Sequence, residues 1–102
     1  MSSTSIGFTG GRTIRLLVQW VDWSSIQADP DSGTDSLTIY DSHGNVKATI
    51  THSQMQKLAP GNYYYDYATP TVTTQDDYVA VWKATIGGEP DVMEQPFTLL
   101  PL

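Results

Sequence analysis

The chain has 102 residues, 39% of them hydrophobic and 11% aromatic, and its 11 acidic and five basic residues give a formal net charge of −6. This length fits one hydrophobic core, and the scarcity of Lys and Arg disfavours nucleic acid and anionic membranes as partners, because phosphate binding needs dense positive charge. The chain has no cysteine, which excludes disulfides and thiolate metal sites.

The first residues, MSSTSIGFTGG, are polar and rich in glycine. They lack the basic stretch and apolar run of a signal peptide, so we expect a protein made in the cytosol that leaves only inside a larger particle. We predict a flexible N-terminal arm over residues 1–11, which orders against a partner and contributes Phe8 to the contact, and one folded domain over residues 12–102.

The segment from Thr13 to Val21 alternates between apolar and polar side chains, which is the pattern of a half-buried strand. Its predicted inward side chains are Ile14, Leu16, Val18 and Trp20. The acidic stretch 22–35 reads as a long loop, because Asp, Ser, Pro and Gly dominate it. Strands are then predicted over 36–40, with Leu37 and Ile39 inward, and over 46–50, joined by a tight turn.

The segment 51–61 fits either one helical turn or a short edge strand, and Pro60 and Gly61 end it. Residues 62–67 predict a strand with Tyr63, Tyr65 and Tyr67 on one face and Tyr64 on the other. Two more strands are predicted over 77–86 and 92–99. Pro90 and Pro96 confine the last one to an edge or restrict pairing at its ends, because proline cannot donate to a strand ladder. About seven antiparallel strands of this kind predict an all-β sandwich.

The motifs TIYDSHGNVKATI, PGNYYYDYATP and DYVAVWKATIGGEP, with a terminal QPFTLL, resemble the immunoglobulin-like, macroglobulin-type domains found in bacterial, archaeal and bacteriophage proteins. The resemblance covers residues 12–100 and implies an immunoglobulin-like β-sandwich. In a small domain without cysteine, it also implies similarity to structural proteins of tailed bacteriophages that decorate capsids or build necks and tails. The matching positions are Asp41, Gly44, Gly61, Tyr63, Tyr65, Tyr78, Trp82 and Phe97.

The loop acids and the two histidines are the residues to consider for metal binding or catalysis. Calcium could bind if Asp22, Asp29, Asp31 and Asp35 converged, but their spacing fits no known calcium loop, and aspartate is also a common turn former. His43 and His52 fall in a turn and at a strand end, where solvent exposure is ordinary. No catalytic motif accompanies them. The sequence therefore predicts no enzyme, no metal and no cofactor.

The remaining functional candidates are apolar side chains that the strand pattern places outside the core. They are predicted to contact a partner: Phe8, Leu17, Trp23, Tyr40 and Tyr64. The strand 46–50 has only Lys47 to protect its edge and could accept a neighbour's strand. The leading hypothesis is a virion structural protein that contacts other virion or assembly proteins, and a homo-oligomer stays open. The alternative is a carbohydrate-binding or adhesive module whose aromatic platform includes Trp23 and Tyr64.

Overall fold

The computed structural model describes residues 6–101, which form eight β-strands in two sheets. In chain order they are β1 (Ile6–Thr9), β2 (Thr13–Gln19), β3 (Ser36–Tyr40), β4 (Val46–Thr51), β5 (Gln56–Ala59), β6 (Asn62–Ala68), β7 (Asp76–Ile86) and β8 (Glu89–Leu100). The larger sheet has the order β1-β8-β7-β3-β4 and the smaller one β2-β6-β5. All neighbours are antiparallel except β1 and β8. The all-β prediction is therefore confirmed.

Alternating side chains place one face of each sheet in a shared core. In β2, the predicted inward residues Ile14, Leu16 and Val18 are buried while the residues between them are exposed. In the larger sheet, Leu37 lies opposite Trp82, and neither side chain has any exposed surface. Burial of such side chains is the main stabilising term of the fold. Within residues 6–101 there is no helix with the length and apolar character needed to cross a membrane.

The N-terminal residues differ from the predicted flexible arm over residues 1–11. The segment Ile6–Thr9 forms β1, which runs parallel to the end of β8 from Phe97 to Leu100. Gly10 N donates to Leu100 O at 2.9 Å, and the Phe8 ring packs edge-on against the Phe97 ring with centroids 6.3 Å apart. The end of β8 offers a backbone edge to pair with, and the Phe8 ring gains an apolar contact with Phe97. Together these explain why the segment joins the sheet. Residues 1–5 of the predicted arm lie outside the described residues.

The two prolines of β8 lie along the backbone edge that faces β1, and β1 pairs with only the last four residues of that edge. Leu100 O, which accepts from Gly10, faces that side, and because strand residues alternate, Pro90 and Pro96 face it as well. Val92 also faces it, and its N–H is bonded to its neighbour's carboxylate, Asp91 Oδ1, at 2.9 Å. The edge over residues 89–96 therefore offers few free donors. The predicted edge position is correct for residues 89–96, whereas β1 covers residues 97–100.

The other edge predictions also have clear outcomes. Strand β4 is the outer strand of the larger sheet, as predicted from residues 46–50. The segment after it contains both predicted alternatives, because the 3-10 turn His52–Gln54 is followed by β5 at the outer edge of the smaller sheet. Gly61 has a φ of 79° and ends the segment in a turn that favours glycine.

Candidate functional site

The five side chains predicted to contact a partner lie in different places. Phe8 is half-buried against the core, and Leu17 and Trp23 are 49% and 90% exposed. Tyr40 and Tyr64 are half-buried and lie on the outer faces of the larger and the smaller sheet respectively. The structure therefore brings Leu17 and Tyr64 together as cross-strand neighbours, but places Tyr40 on the opposite face.

The ring of Tyr64 is covered by a charged side chain. The guanidinium carbon of Arg15 lies 3.9 Å from the ring centroid. Arg15 also holds Asp66 through two hydrogen bonds, from Nε to Oδ1 at 2.8 Å and from Nη2 to Oδ2 at 3.1 Å. The hydrogen bonds from Arg15 lower the pKa of the Asp66 carboxyl. A flat ligand would have to displace Arg15 in order to stack on Tyr64.

Trp23 is presented by a tight turn that follows β2. The Asp22 carboxylate accepts hydrogen bonds from Ser24 N at 2.8 Å and from Ile26 N at 3.1 Å. Asp22 N in turn donates to Ile26 O at 2.8 Å, and Ser25 adopts a left-handed φ of 62°. These bonds fix the turn while the indole of Trp23 stays in solvent.

The loop that carries Trp23 is fastened to the β7–β8 turn by another aspartate. Asp31 Oδ1 accepts from Gly87 N at 3.1 Å and Oδ2 accepts from Gly88 N at 2.9 Å. Asp31 N donates to Thr85 O at 2.7 Å. Trp23 is thereby held beside the start of β8. The sequence gives no signal for this contact, because the bonded residues are more than 50 positions apart.

The remaining loop acids also have partners of their own. Asp29 accepts from Lys57 Nζ at 2.7 Å, from Gly61 N at 2.9 Å and from Tyr63 Oη at 3.1 Å. The bonds from Lys57 and Gly61 lower the pKa of the Asp29 carboxyl. Burial, followed by the bond to Asp29, raises the pKa of Tyr63 to about 12. The four acids considered for calcium serve separate loop contacts, and residues 6–101 contain no group of three or more His, Cys, Asp or Glu side chains placed to hold a metal ion.

The two histidines each lie near a carboxylate or a hydroxyl. His52 Nδ1 is 2.8 Å from Oδ2 of the buried Asp35, and no hydroxyl within residues 6–101 is hydrogen-bonded to His52 Nε2. Near His43, the Ser42 hydroxyl lies between the imidazole, at 3.4 Å, and the Asp76 carboxylate, at 3.0 Å. In a catalytic triad the imidazole occupies the middle position, so this order is different.

Two depressions lie between β8 on one side and β2 with the loop that follows it on the other, and together they are termed the groove. The first, of about 250 Å³, is lined by Phe8, Arg15, Leu16, Leu17, Gln95, Pro96 and Phe97. The second, of about 230 Å³, is lined by Val21, Asp22, Trp23, Ile86, Glu89, Pro90 and Asp91. Gln95 Nε2 donates to Leu17 O and so links the two sheets across the groove. Of the predicted contact residues, Phe8 and Leu17 thus line the first depression, and Trp23 lines the second.

A scan against protein-family models and searches of curated proteins and of solved structures each found no significant match for the chain.

Proposed function

We propose that the chain is an immunoglobulin-like β-sandwich that acts as a non-enzymatic structural protein of a bacteriophage virion, through contacts with other virion proteins. The strand order supports the immunoglobulin-like part. With β2 to β8 taken as strands B, C, C′, D, E, F and G, the sheets group as B-E-D and G-F-C-C′. This is the grouping of immunoglobulin domains.

The exposure of Trp23 is the observation that carries the protein-binding part. An indole that is 90% exposed, on a turn fixed by its own hydrogen bonds, gives a partner a large and rigid contact surface. Further apolar side chains are exposed on β2, on the same loop and on β8: Leu17, Val21, Ile26, Val92 and Met93. Among them, Val21 and Ile26 lie close to Trp23 in the chain, and aromatic and aliphatic side chains of this kind form the centre of protein interfaces.

The bacteriophage assignment follows from the sequence resemblance, which implies a capsid decoration, neck or tail accessory subunit. Mass spectrometry of gradient-purified phage particles from the source culture tests it, and we expect the protein in stoichiometric amounts. A photo-crosslinking amino acid in place of Trp23 should then capture a virion protein, while the same group in place of Tyr40, on the outer face of the larger sheet, serves as the control. Recovery of the protein only as a free species in the lysate would reject the assignment.

A carbohydrate-binding module is the second candidate, and Trp23 is the observation that favours it. A flat platform shared by Trp23 and Tyr64 is not supported, because Arg15 covers the Tyr64 ring and Trp23 lies beside the β7–β8 turn. Glycan-array binding that is lost in Trp23→Ala and kept in Tyr64→Ala would favour this candidate over the virion protein.

A further inference from the structure

Among residues 6–101, one side of the β2 backbone has no neighbouring strand, because β2 is the outer strand of the smaller sheet. Trp20 N donates to Gly61 O, and Arg12 O accepts from Thr69 N, so even-numbered residues in this stretch direct their polar groups towards β6. Odd-numbered residues face the other way, as the bond from Gln95 to the Leu17 carbonyl shows. The N–H groups directed to the free edge belong to Thr13, Arg15, Leu17 and Gln19.

This edge lacks the protection found on β8. Strand β2 contains no proline, whereas two of the outward positions over residues 89–96 of β8 are prolines and a third has its N–H bonded to Asp91. The Leu17 carbonyl accepts from Gln95 but has a second lone pair. The β2 edge can therefore donate its four outward N–H groups to an added strand, which would share the Leu17 carbonyl with the Gln95 amide or displace that amide.

An added strand would also cover side chains of β8 that the smaller sheet leaves exposed. Glu89, Asp91 and Met93 lie opposite the buried residues Ile86, Ala84 and Trp82, so they are on the inner face of the larger sheet. They are exposed nevertheless, because the smaller sheet ends at β2 and does not extend over this part of β8. A fourth strand beside β2 would lie over them, as facing sheets pack over each other in sandwich folds.

The charges of the groove define the chemistry of the added strand. Within residues 6–101, Glu89 and Asp91 take part in no ion pair, and both line the depression that also contains Trp23. A Lys or Arg side chain placed there would meet two carboxylates and an exposed indole face. The opposite depression is lined mainly by apolar side chains, among them Phe8, Leu16 and Phe97, and suits an apolar side chain.

We propose that the free edge of β2 binds an extended, basic segment of a partner protein as a fourth strand of the smaller sheet. The proposal rests on the protein-binding function proposed above and names its surface and the chemistry of its partner. Backbone hydrogen bonds to β2 supply affinity. On the side of the added strand that faces the groove, the depression with Glu89 and Asp91 selects a basic side chain, and the other depression selects an apolar one.

Amide hydrogen exchange, followed residue by residue by NMR, tests the edge directly. In the free protein, the four outward amides of β2 should exchange quickly, and those of Ile14, Leu16 and Val18 slowly. The probe is a capped peptide about nine residues long, to span β2 at ~3.4 Å per residue. Its groove-facing positions, every second residue, carry Lys in one half and Val in the other, with Thr between them. It should slow the four outward amides at least roughly tenfold, while a Glu and Val peptide of the same length should not. Unchanged exchange with the Lys and Val peptide would overturn the proposal.

A pair of variants at Gln19 separates loss of the backbone donor from loss of the side chain. Gln19→Pro removes one outward N–H, whereas Gln19→Ala removes the side chain and keeps the N–H. We expect Gln19→Pro to weaken probe binding about tenfold relative to Gln19→Ala, the effect of one or two hydrogen bonds. An unchanged circular dichroism spectrum would show that Gln19→Pro folds. Equal binding by the two folded variants would contradict the added-strand mode.

The role of charge is tested on β8 with a matched pair. Glu89→Lys reverses a charge that lines the groove, while Glu94→Lys makes the same change on the opposite face of the same strand. Glu89→Lys should weaken the Lys and Val peptide several-fold more than Glu94→Lys does. Equal effects would show that the peptide responds only to the net charge of −6, and would contradict binding at the groove.

The two proposals fail in different ways. Phage particles that contain the protein, and incorporate Gln19→Pro as efficiently as Gln19→Ala, would contradict the β2 edge but keep the virion function. Particles without the protein, combined with protection of the β2 amides by the peptide, would reject the virion function and keep the edge as a binding site.

Discussion

The indole N–H of Trp82 donates to Gln95 Oε1 at 2.8 Å, between the paired strands β7 and β8. An indole N–H can only donate, so the amide oxygen of Gln95 must face Trp82 and its NH₂ group must face away. That NH₂ group donates to the Leu17 carbonyl on the edge of β2. One half-buried glutamine thus links the core of the larger sheet to the edge of the smaller one.

Replacement of Gln95 by Leu should destabilise the protein by about 1–3 kcal/mol, because the buried Trp82 N–H then has no acceptor. Urea denaturation followed by circular dichroism measures the change. Gln95→Glu keeps an acceptor for Trp82 but sets a carboxylate oxygen against the Leu17 carbonyl oxygen, so it should also destabilise the protein. Gln75→Leu makes the same change at an exposed loop position and should be nearly neutral. Equal stability of Gln95→Leu and Gln75→Leu would show that the bond contributes nothing.

The contact between Asp31 and the β7–β8 turn gives a second prediction. Asp31→Ala removes the acceptors of Gly87 N and Gly88 N and should speed hydrogen exchange at these two amides, at a cost of about 1 kcal/mol in global stability, since the bonds are exposed. Asp31→Asn retains one acceptor and should keep partial protection. Unchanged exchange in Asp31→Ala would mean that the loop is held by other contacts.

The contrast between these residues and the core shows what the sequence can predict. Inward positions such as Leu16 and Trp82 follow from alternation, because the two-residue period of a strand is a local property. The strand containing Tyr63 and Tyr67 was predicted for the same reason, and both rings are buried. Alternation does not give the partner of a strand, so β1 could not be predicted to pair with β8.

The candidate groove depends on contacts that no local pattern contains. Gln95 and Leu17 are 78 positions apart, and Asp31 is 56 and 57 positions from the two glycines that donate to it. Of the loop acids, the Asp22 carboxylate caps a local turn, whereas those of Asp29 and Asp31 bond residues distant in sequence, so their partners depend on which strands neighbour each other. The alternating pattern alone predicts that Leu17 and Trp23 lie outside the core. Glu89 and Asp91, in contrast, lie on the inner face of the larger sheet and are exposed there only because the smaller sheet ends at β2.

Stability should fall at acidic pH because three aspartates are held in their ionised form. The pKa values of Asp29, Asp41 and Asp66 are lowered, chiefly by hydrogen bonds from Lys57, from Asn45 N and from Arg15 respectively. The folded state thus favours the carboxylates, so their contribution is present above the ordinary Asp pKa of about 4 and is lost as the pH falls through the lowered values.

The melting temperature should therefore be lower at about pH 3 than at about pH 6. Asp29→Asn should reduce this difference, whereas Asp91→Asn, at a carboxylate that forms no ion pair within the described part of the chain, should leave it largely unchanged. A pH dependence that is the same in both variants would contradict the role of Asp29.

An opposite dependence is expected at alkaline pH. Burial and the bond to Asp29 raise the pKa of Tyr63 to about 12, so the folded state favours the neutral phenol. This contribution is present below the ordinary Tyr pKa of about 10 and is lost as the pH rises towards 12. Thermal unfolding at about pH 9 and pH 11 should show a decrease that is smaller in Tyr63→Phe. An equal decrease in that variant would assign it to other groups.

The three tryptophans should separate into one surface residue and two core residues. Trp23 is 90% exposed, whereas Trp20 and Trp82 are 1% and 0% exposed. Trp23→Ala should change stability by no more than about 0.5 kcal/mol, and Trp82→Ala should cost about 3–5 kcal/mol. Acrylamide quenching of the fluorescence should be largely lost in Trp23→Ala and kept in a conservative core variant, Trp82→Phe.

Ionic quenchers extend this test to the surroundings of Trp23. Because the carboxylates of Glu89 and Asp91 line the same depression, a caesium cation should quench Trp23 more efficiently than iodide does, after correction for their efficiencies on free tryptophan. Glu89→Lys should reduce this preference, while Glu94→Lys, on the other face of β8, should alter it less. Equal quenching by the two ions in the unsubstituted protein would show that the indole does not experience these carboxylates, and would remove the electrostatic argument for a basic partner at this end of the groove.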